Sequence, residues 1–187
     1  MTGFNTQLQM EVIKQAQVGD QLAMEQIYRT YCNATYTLAF RICYNRISAE
    51  DITQEAFIKV FKNIANYAFD GNFAGWIRKI VVNEAINFNK SKFNQVMDLE
   101  EDLDSGFENS IFNCEWVINT NEIEYYLSLL SELARTVLIL HQVEGYTHNE
   151  IAEMLGKTES FSKMTLLRAF RTIHNEIKSQ ERHYALK

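Results

Sequence analysis

The chain has 187 residues, 47% of them apolar and 12% aromatic, which fills one ordinary domain or two small ones and excludes disorder throughout. The net charge of −6 argues against a general nucleic-acid binder, and neither a signal-like N-terminus nor a run of about eighteen apolar residues occurs. A soluble, cytoplasmic protein without membrane insertion is therefore expected, and Cys32, Cys43 and Cys114, odd in number and without CxxC spacing, read as buried thiols rather than a disulfide framework or zinc site.

Proline is absent and apolar residues recur every three to four positions, so the fold class is all-α: two small helical domains joined by an acidic linker, the C-terminal one a helix-turn-helix. A first helix spans Thr6–Gln17 and is closed by Gly19. Asp20 then caps a second, whose apolar positions Leu22, Ile27, Tyr31, Leu38 and Ile42 carry it to about Tyr44. Ser48 and Asp51 fit a capping box for a helix reaching about Ala65. A loop, Asn66–Phe73, precedes a helix from Ala74 to about Lys92, which completes an N-terminal domain over residues 1–93. Residues 94–121 lose periodicity and read as the linker, in which Ile111, Phe112, Trp116 and Val117 fit a short docking helix. In the C-terminal domain, 122–187, helices are expected at Glu122–Leu130 and Glu132–Val143, the latter stopped by Gly145. Thr147 and Glu150 form a second capping box opening Asn149–Leu155. Gly156 ends that helix, and a last one runs from Thr158 or Ser160 to about Ser179.

The average charge hides two basic patches. Lys157–Lys187 holds seven Lys or Arg against Glu159, Glu176 and Glu181, and Arg78–Lys92 carries a balance of +3. Between them Asp98, Glu100, Glu101, Asp102, Asp104 and Glu108 stand without a basic residue, a stretch that repels DNA. On the helix that follows Ser48, Ile52, Ala56, Phe57, Val60, Phe61 and Ile64 form the inward stripe. Asp51, Gln54, Glu55, Ile58 and Lys62 form the opposite face, where one apolar residue among polar ones suits a protein contact, a solvated surface being the plainer alternative. Tyr67, Phe69, Phe73 and Trp76 are followed by Arg78, Lys79, Lys90 and Lys92, the combination of stacking surfaces and cations that melted DNA requires, although Phe73 and Trp76 also suit a core with Ile77 and Ile80. No phosphate loop, nucleophile elbow or HExxH motif is present, so no enzyme is expected. His141 and His148 lack acidic or Cys partners at metal spacing and read as surface or capping residues; no metal or cofactor is expected.

The segment DITQEAFIKVFKNIANYAFDGNFAGWIRKIVVNEAINFN, Asp51–Asn89, followed beyond the acidic stretch by the helix-turn-helix, resembles bacterial RNA polymerase sigma factors of the small extracytoplasmic-function group. The likeness covers about Gly19–Lys92 and Glu122–Ile177. It implies that Asp51, Gln54, Glu55, Ile58 and Lys62 contact core polymerase, chiefly the beta-prime coiled coil, with the beta subunit as a further partner. It also implies that Tyr67 captures an unstacked base of the minus-ten element, that Asn83 reads a neighbouring base, and that Arg78, Lys79, Asn87 and Lys90 hold the backbone. For the minus-thirty-five element the positions implied are Glu159, Ser160, Phe161, Lys163, Met164, Leu167, Arg168 and Arg171. Many relatives carry a Gly-Thr-Val-Lys-Ser-Arg-Leu-like run where this chain reads Ser-Phe-Ser-Lys-Met-Thr-Leu from Ser160, so Phe161, Met164 and Thr165 imply a different sequence preference. Met164 and Leu167 suit base contact and ordinary hydrophobic surface equally. The family further implies an anti-sigma partner and a linker running through the polymerase interior. A stand-alone helix-turn-helix regulator, or a degenerate sigma-like protein that sequesters an anti-sigma factor, are the alternatives.

Overall fold

The computed structural model describes residues 4–95 and 120–185; the expected linker over 94–121, with its docking helix and acidic run, lies almost wholly outside them, as does the side chain of Lys90. Every element among the described residues is helical, and the chain divides into two compact units, Met1–Asn89 and Lys90–Lys187.

In the N-terminal unit, α1 spans Met10–Gln17 and buries Val12, Ile13 and Ala16. It starts later than the Thr6 expected, because the residues before it form a non-helical strap: Phe4 is buried against Tyr31, ring centroids 6.2 Å apart, and the Tyr31 hydroxyl donates to the Thr6 carbonyl at 2.8 Å. Asp20 caps α2, Gln21–Cys43, its carboxylate accepting from the Ala23 amide at 2.7 Å. The buried stripe of α2 is Ala23, Ile27, Tyr31, Ala34, Leu38 and Ile42; Leu22, expected among its core positions, is 76% exposed because Ala23 takes the inward place.

The next helix, α3, spans Arg46–Asn63. Ser48 is not its cap: the Asn45 side chain accepts from the Ser48 amide at 2.9 Å, so the helix begins two residues before Ser48. Asn45 follows Tyr44, which takes the left-handed φ of 50° that ends α2, and the chain turns from one helix into the next without a loop. Ile52, Ala56, Phe57 and Val60 are buried as expected, whereas Phe61 is only half-buried. A 3-10 turn at Ile64–Asn66 leads to the loop before α4, Phe73–Gln95. Gln17 fastens that loop to α1, its amide donating to the carbonyls of Ile64 and Tyr67 at 3.0 and 2.9 Å.

The C-terminal unit contains α5, Thr120–Ser128, and α6, Glu132–Leu138, whose cap is Ser131. The single helix expected to reach Val143 instead widens into a π turn at Ile139–Val143, closed by the Glu144 amide on the Ile139 carbonyl at 3.0 Å. After Gly145, at φ 77°, the capping box forms: the Thr147 hydroxyl accepts from the Glu150 amide, and the Glu150 carboxylate accepts from the Thr147 amide at 2.8 Å. It opens α7, His148–Leu155, and Gly156 ends it at φ 66°, a conformation that costs glycine nothing. Thr158 receives the Phe161 amide at 3.1 Å as α8, Glu159–Ala185, begins. The core of this unit joins Leu127, Leu130, Leu133, Val137, Leu140, Ile151, Leu155, Leu166 and Ala169.

Candidate functional site

Three regions carry the residues singled out from sequence, not all of them exposed. The first lies on α3. With Ile52, Ala56, Phe57 and Val60 turned inward, helical spacing leaves Asp51, Gln54, Glu55, Ile58 and Lys62 outside, and all five are exposed, Ile58 by 44%. Ile47, one turn before Asp51 and three turns before Ile58, extends the same stripe and is 72% exposed. Sequence reasoning missed it; its i+4 and i+11 offsets from Asp51 and Ile58 were the available signal. Lys59, beside the stripe, is taken by an ion pair with Glu84 that ties α3 to α4.

The second surface comprises the loop before α4 and the outer side of that helix. Lys79, Asn83 and Asn87 are exposed and succeed one another at four-residue intervals, so they share a face. Arg78 is not on it: its guanidinium lies 5.0 Å from the ring centre of Phe4, half-buried under the N-terminal strap. Tyr67 departs most from expectation. Its ring is 6% exposed, lies 5.1 Å from Phe69, 5.1 Å from Phe73 and 5.3 Å from Trp76, and its hydroxyl donates to the Gly71 carbonyl. Burial, and then the negative charge of Asp70, raise its pKa. Phe73 is buried and Trp76 half-buried on it at 5.6 Å, in keeping with a core role. Phe69 holds φ 57°, a left-handed backbone that costs a bulky residue roughly 1–3 kcal/mol and that the packed cluster must sustain.

The third surface is the α7–turn–α8 unit. Glu159, Ser160, Lys163 and Met164 are exposed on the first turns of α8, while Phe161, Leu167, Arg168 and Arg171 are half-buried. Lys163 forms an ion pair with Glu159 at 2.6 Å, and the lysine holds the Glu159 carboxyl below its ordinary pKa. Lys157 sits 5.7 Å from the Phe161 ring centre. Thr165 is buried, which places that departure from the common run inside the fold rather than toward a ligand.

His141 and His148 are both half-buried and held by specific contacts. Their rings stack at 4.1 Å; His141 Nδ1 bonds the Tyr146 carbonyl at 2.8 Å and His148 Nδ1 bonds the buried Ser162 hydroxyl at 2.9 Å. Among the described residues no group of three or more His, Cys, Asp or Glu side chains is placed to hold a metal ion, and no helix is long and apolar enough to cross a membrane.

Comparison with known proteins accounts for the pairing of these surfaces. Residues 27–92 match the family model of sigma-70 region 2, and residues 120–173 match that of sigma-70 region 4. The chain is similar to the ECF RNA polymerase sigma factor SigW of Bacillus subtilis, 30% identical over 158 residues that cover 77% of this chain and 83% of SigW. It is also similar to the ECF RNA polymerase sigma factor SigE of Mycolicibacterium smegmatis, 32% identical over 74% of this chain but only 56% of that relative. Two solved structures share the fold. One is the sigma factor RpoE in complex with the anti-sigma factor NepR from Bartonella quintana, with a TM-score of 0.52, 19% identity, and coverage of 82% of this chain and 96% of that one. The other is CnrH in complex with the cytosolic domain of CnrY, also with a TM-score of 0.52, at 17% identity, covering 90% and 96%. With a region 2 and a region 4 in that order and a relative of this identity matched over most of its length, the chain belongs to the extracytoplasmic-function group of the RNA polymerase sigma-70 family.

Proposed function

We propose that the protein is a transcription initiation factor that binds core RNA polymerase, directs it to a set of promoters and helps to open them, acting by binding and not by catalysis. The observation that carries this reading is the α3 stripe. A helix that places Asp51, Gln54, Glu55, Ile58 and Lys62 outside, with Ile47 as a further apolar anchor, has no use in a stand-alone DNA-binding regulator. It suits a coiled-coil surface such as that of the beta-prime subunit, where an exposed aliphatic residue fills a pocket and polar neighbours fix orientation. The beta subunit is the second expected polymerase contact.

On promoter DNA, Lys79, Asn83 and Asn87 form the face that meets the minus-ten element, with Asn83 offering both a donor and an acceptor to a base edge. The buried Tyr67 ring becomes available to an unstacked base only if the Tyr67–Gly71 hydrogen bond opens, and the strained backbone at Phe69 lowers the cost of that movement. Arg78 reaches phosphate after leaving Phe4, and Lys90 adds a cation farther along α4. The first turns of α8 enter the major groove at the minus-thirty-five element, with Glu159, Ser160, Phe161, Lys163, Met164 and Leu167 toward the bases and Arg168 and Arg171 toward phosphate. The acidic stretch Asp98–Asp104 passes through the cationic interior of the polymerase in place of nucleic acid. Unchanged abortive synthesis and promoter escape after neutralising it would count against that role.

Run-off transcription with core polymerase on fragmented genomic DNA tests the reading, using the protein and an Asp51/Gln54/Glu55-to-Ala variant. Discrete starts that vanish with the variant support it. A second reading is favoured by the altered run Ser160–Thr165 and by a structural relative that is a sigma factor in complex with an anti-sigma factor: a protein that sequesters such a partner without initiating. Binding to core polymerase with no transcript on any fragment selects it. Failure to bind core leaves the plain regulator.

A further inference from the structure

The sigma-factor reading makes no use of the two stacked histidines in the C-terminal unit. They lie where three segments meet. His141 belongs to the π turn and is anchored to the Tyr146 carbonyl of the adjoining loop, His148 is the first residue of α7, and Ser162 closes the first turn of α8. The two rings at 4.1 Å, together with the 2.9 Å bond from His148 Nδ1 to a fully buried hydroxyl, connect the π turn to α7 and α7 to α8.

We propose that the His141–His148–Ser162 relay is a proton-sensitive positioning device that holds the first turn of α8 in register with α7 only while His148 is neutral. His148 stands at the N-terminus of α7 and touches the N-terminal turn of α8, so two helix ends with partial positive charge converge on one imidazole, and an imidazolium there is disfavoured from both sides. Partial burial opposes protonation most strongly, His141 from the π turn and Lys163 from α8 oppose it further, and Glu159 from α8 favours it. Glu159 is already committed to Lys163. The pKa of His148 therefore falls below its ordinary value of 6.5.

The unfolded chain binds this proton more tightly than the folded one, so the contribution of His148 to stability is complete above about pH 6.5. It is lost as pH falls through the depressed folded value. Protonation sets a charge against the stacked ring and beside Lys163, and it is relieved by opening the stack, which frees Ser162 and loosens α8. The consequence for DNA rests on α8 being the helix that meets it: acidification then weakens binding, the reverse of what a surface histidine gaining a cation would do.

The test is an NMR titration of the free full-length protein from pH 8 to 5.5, with the His148 imidazole assigned from its loss in a His148→Phe variant. The expected result is a His148 midpoint below 6.5 with the Ser162 amide signal moving at the same midpoint. A midpoint at or above 6.5, or a Ser162 amide that does not move with it, overturns the proposal. If His148→Phe does not fold, His141→Phe provides the assignment by the change at its stacked neighbour, and the wild-type titration still decides. DNA takes no part in this measurement, so failure of the relay and failure of the sigma-factor reading are seen separately.

Discussion

Replacing Tyr67 separates a buried structural tyrosine from a free loop tyrosine poised for a base. In the structure the ring is 6% exposed, has three aromatic neighbours within 5.3 Å, and hydrogen-bonds through its hydroxyl to Gly71. Tyr67→Phe removes that bond while keeping the ring. The net contribution of such a bond is about 1 kcal/mol, and for a unit of this size that lowers Tm by roughly 4–8 °C. Tyr67→Ala leaves a cavity among Phe69, Phe73 and Trp76 and costs about 3–5 kcal/mol, a large share of the roughly 5–15 kcal/mol that holds a domain folded. Urea unfolding followed by tryptophan emission is the assay, since Trp76 packs directly on the mutated ring. A loss below about 1 kcal/mol for Tyr67→Ala would refute the reasoning and return the side chain to the solvent-exposed loop expected from sequence.

Ile47→Asp and Ile58→Asp should weaken binding to core polymerase at least tenfold in a fluorescence titration while changing stability by no more than about 0.5 kcal/mol, because both residues are already solvated. Arg168→Ala should flatten the dependence of log K on log salt for a mixed-sequence duplex by about 0.9; an unchanged slope would remove Arg168 from the phosphate contacts. The depressed carboxyl of Glu159 means that its ion pair with Lys163 stabilises above the ordinary carboxylate range and is lost as pH falls through the lowered value. Lys163→Ala should bring the Glu159 titration, read by carboxyl carbon NMR, back to the ordinary range, and a midpoint that does not move would show that the pair does not form in solution.

Much of the architecture is legible in the sequence because helix ends are written in short-range chemistry. Asp20, Thr147 with Glu150, and Gly156 act where the sequence places them, since each capping bond spans only a few residues. Asn45 is masked as a cap because Ser48 offers an equally good local pattern, and only the turn at Tyr44 decides between them. The strap at Phe4, the burial of Tyr67 and the histidine stack are not legible. The strap and the loop at Tyr67 depend on partners far along the chain, Tyr31 and Arg78 for Phe4 and Gln17 for the loop, while the histidines come together only because a π turn and Gly145 fold the chain back between them, and no periodicity announces such pairings. The α3 surface is readable in outline because inward and outward faces are set by helical spacing. Ile47 escapes that reading because a cap at Ser48 would start the helix after it.

The π turn at Ile139–Val143 also decides how this stretch of chain takes a change in length. It accommodates one residue more than a regular helix does over the same rise, so deleting one of these five lets the α-helical pattern close while leaving the direction of the downstream chain nearly unchanged. The wide bond from the Glu144 amide to the Ile139 carbonyl would give way to an ordinary four-residue one, and Gly145 would still lead the chain toward α7. Single deletions in this turn should therefore be better tolerated than single deletions in the regular turns of α6, which rotate everything downstream by about 100°, and the exposed Gln142 and Val143 should accept exchange freely.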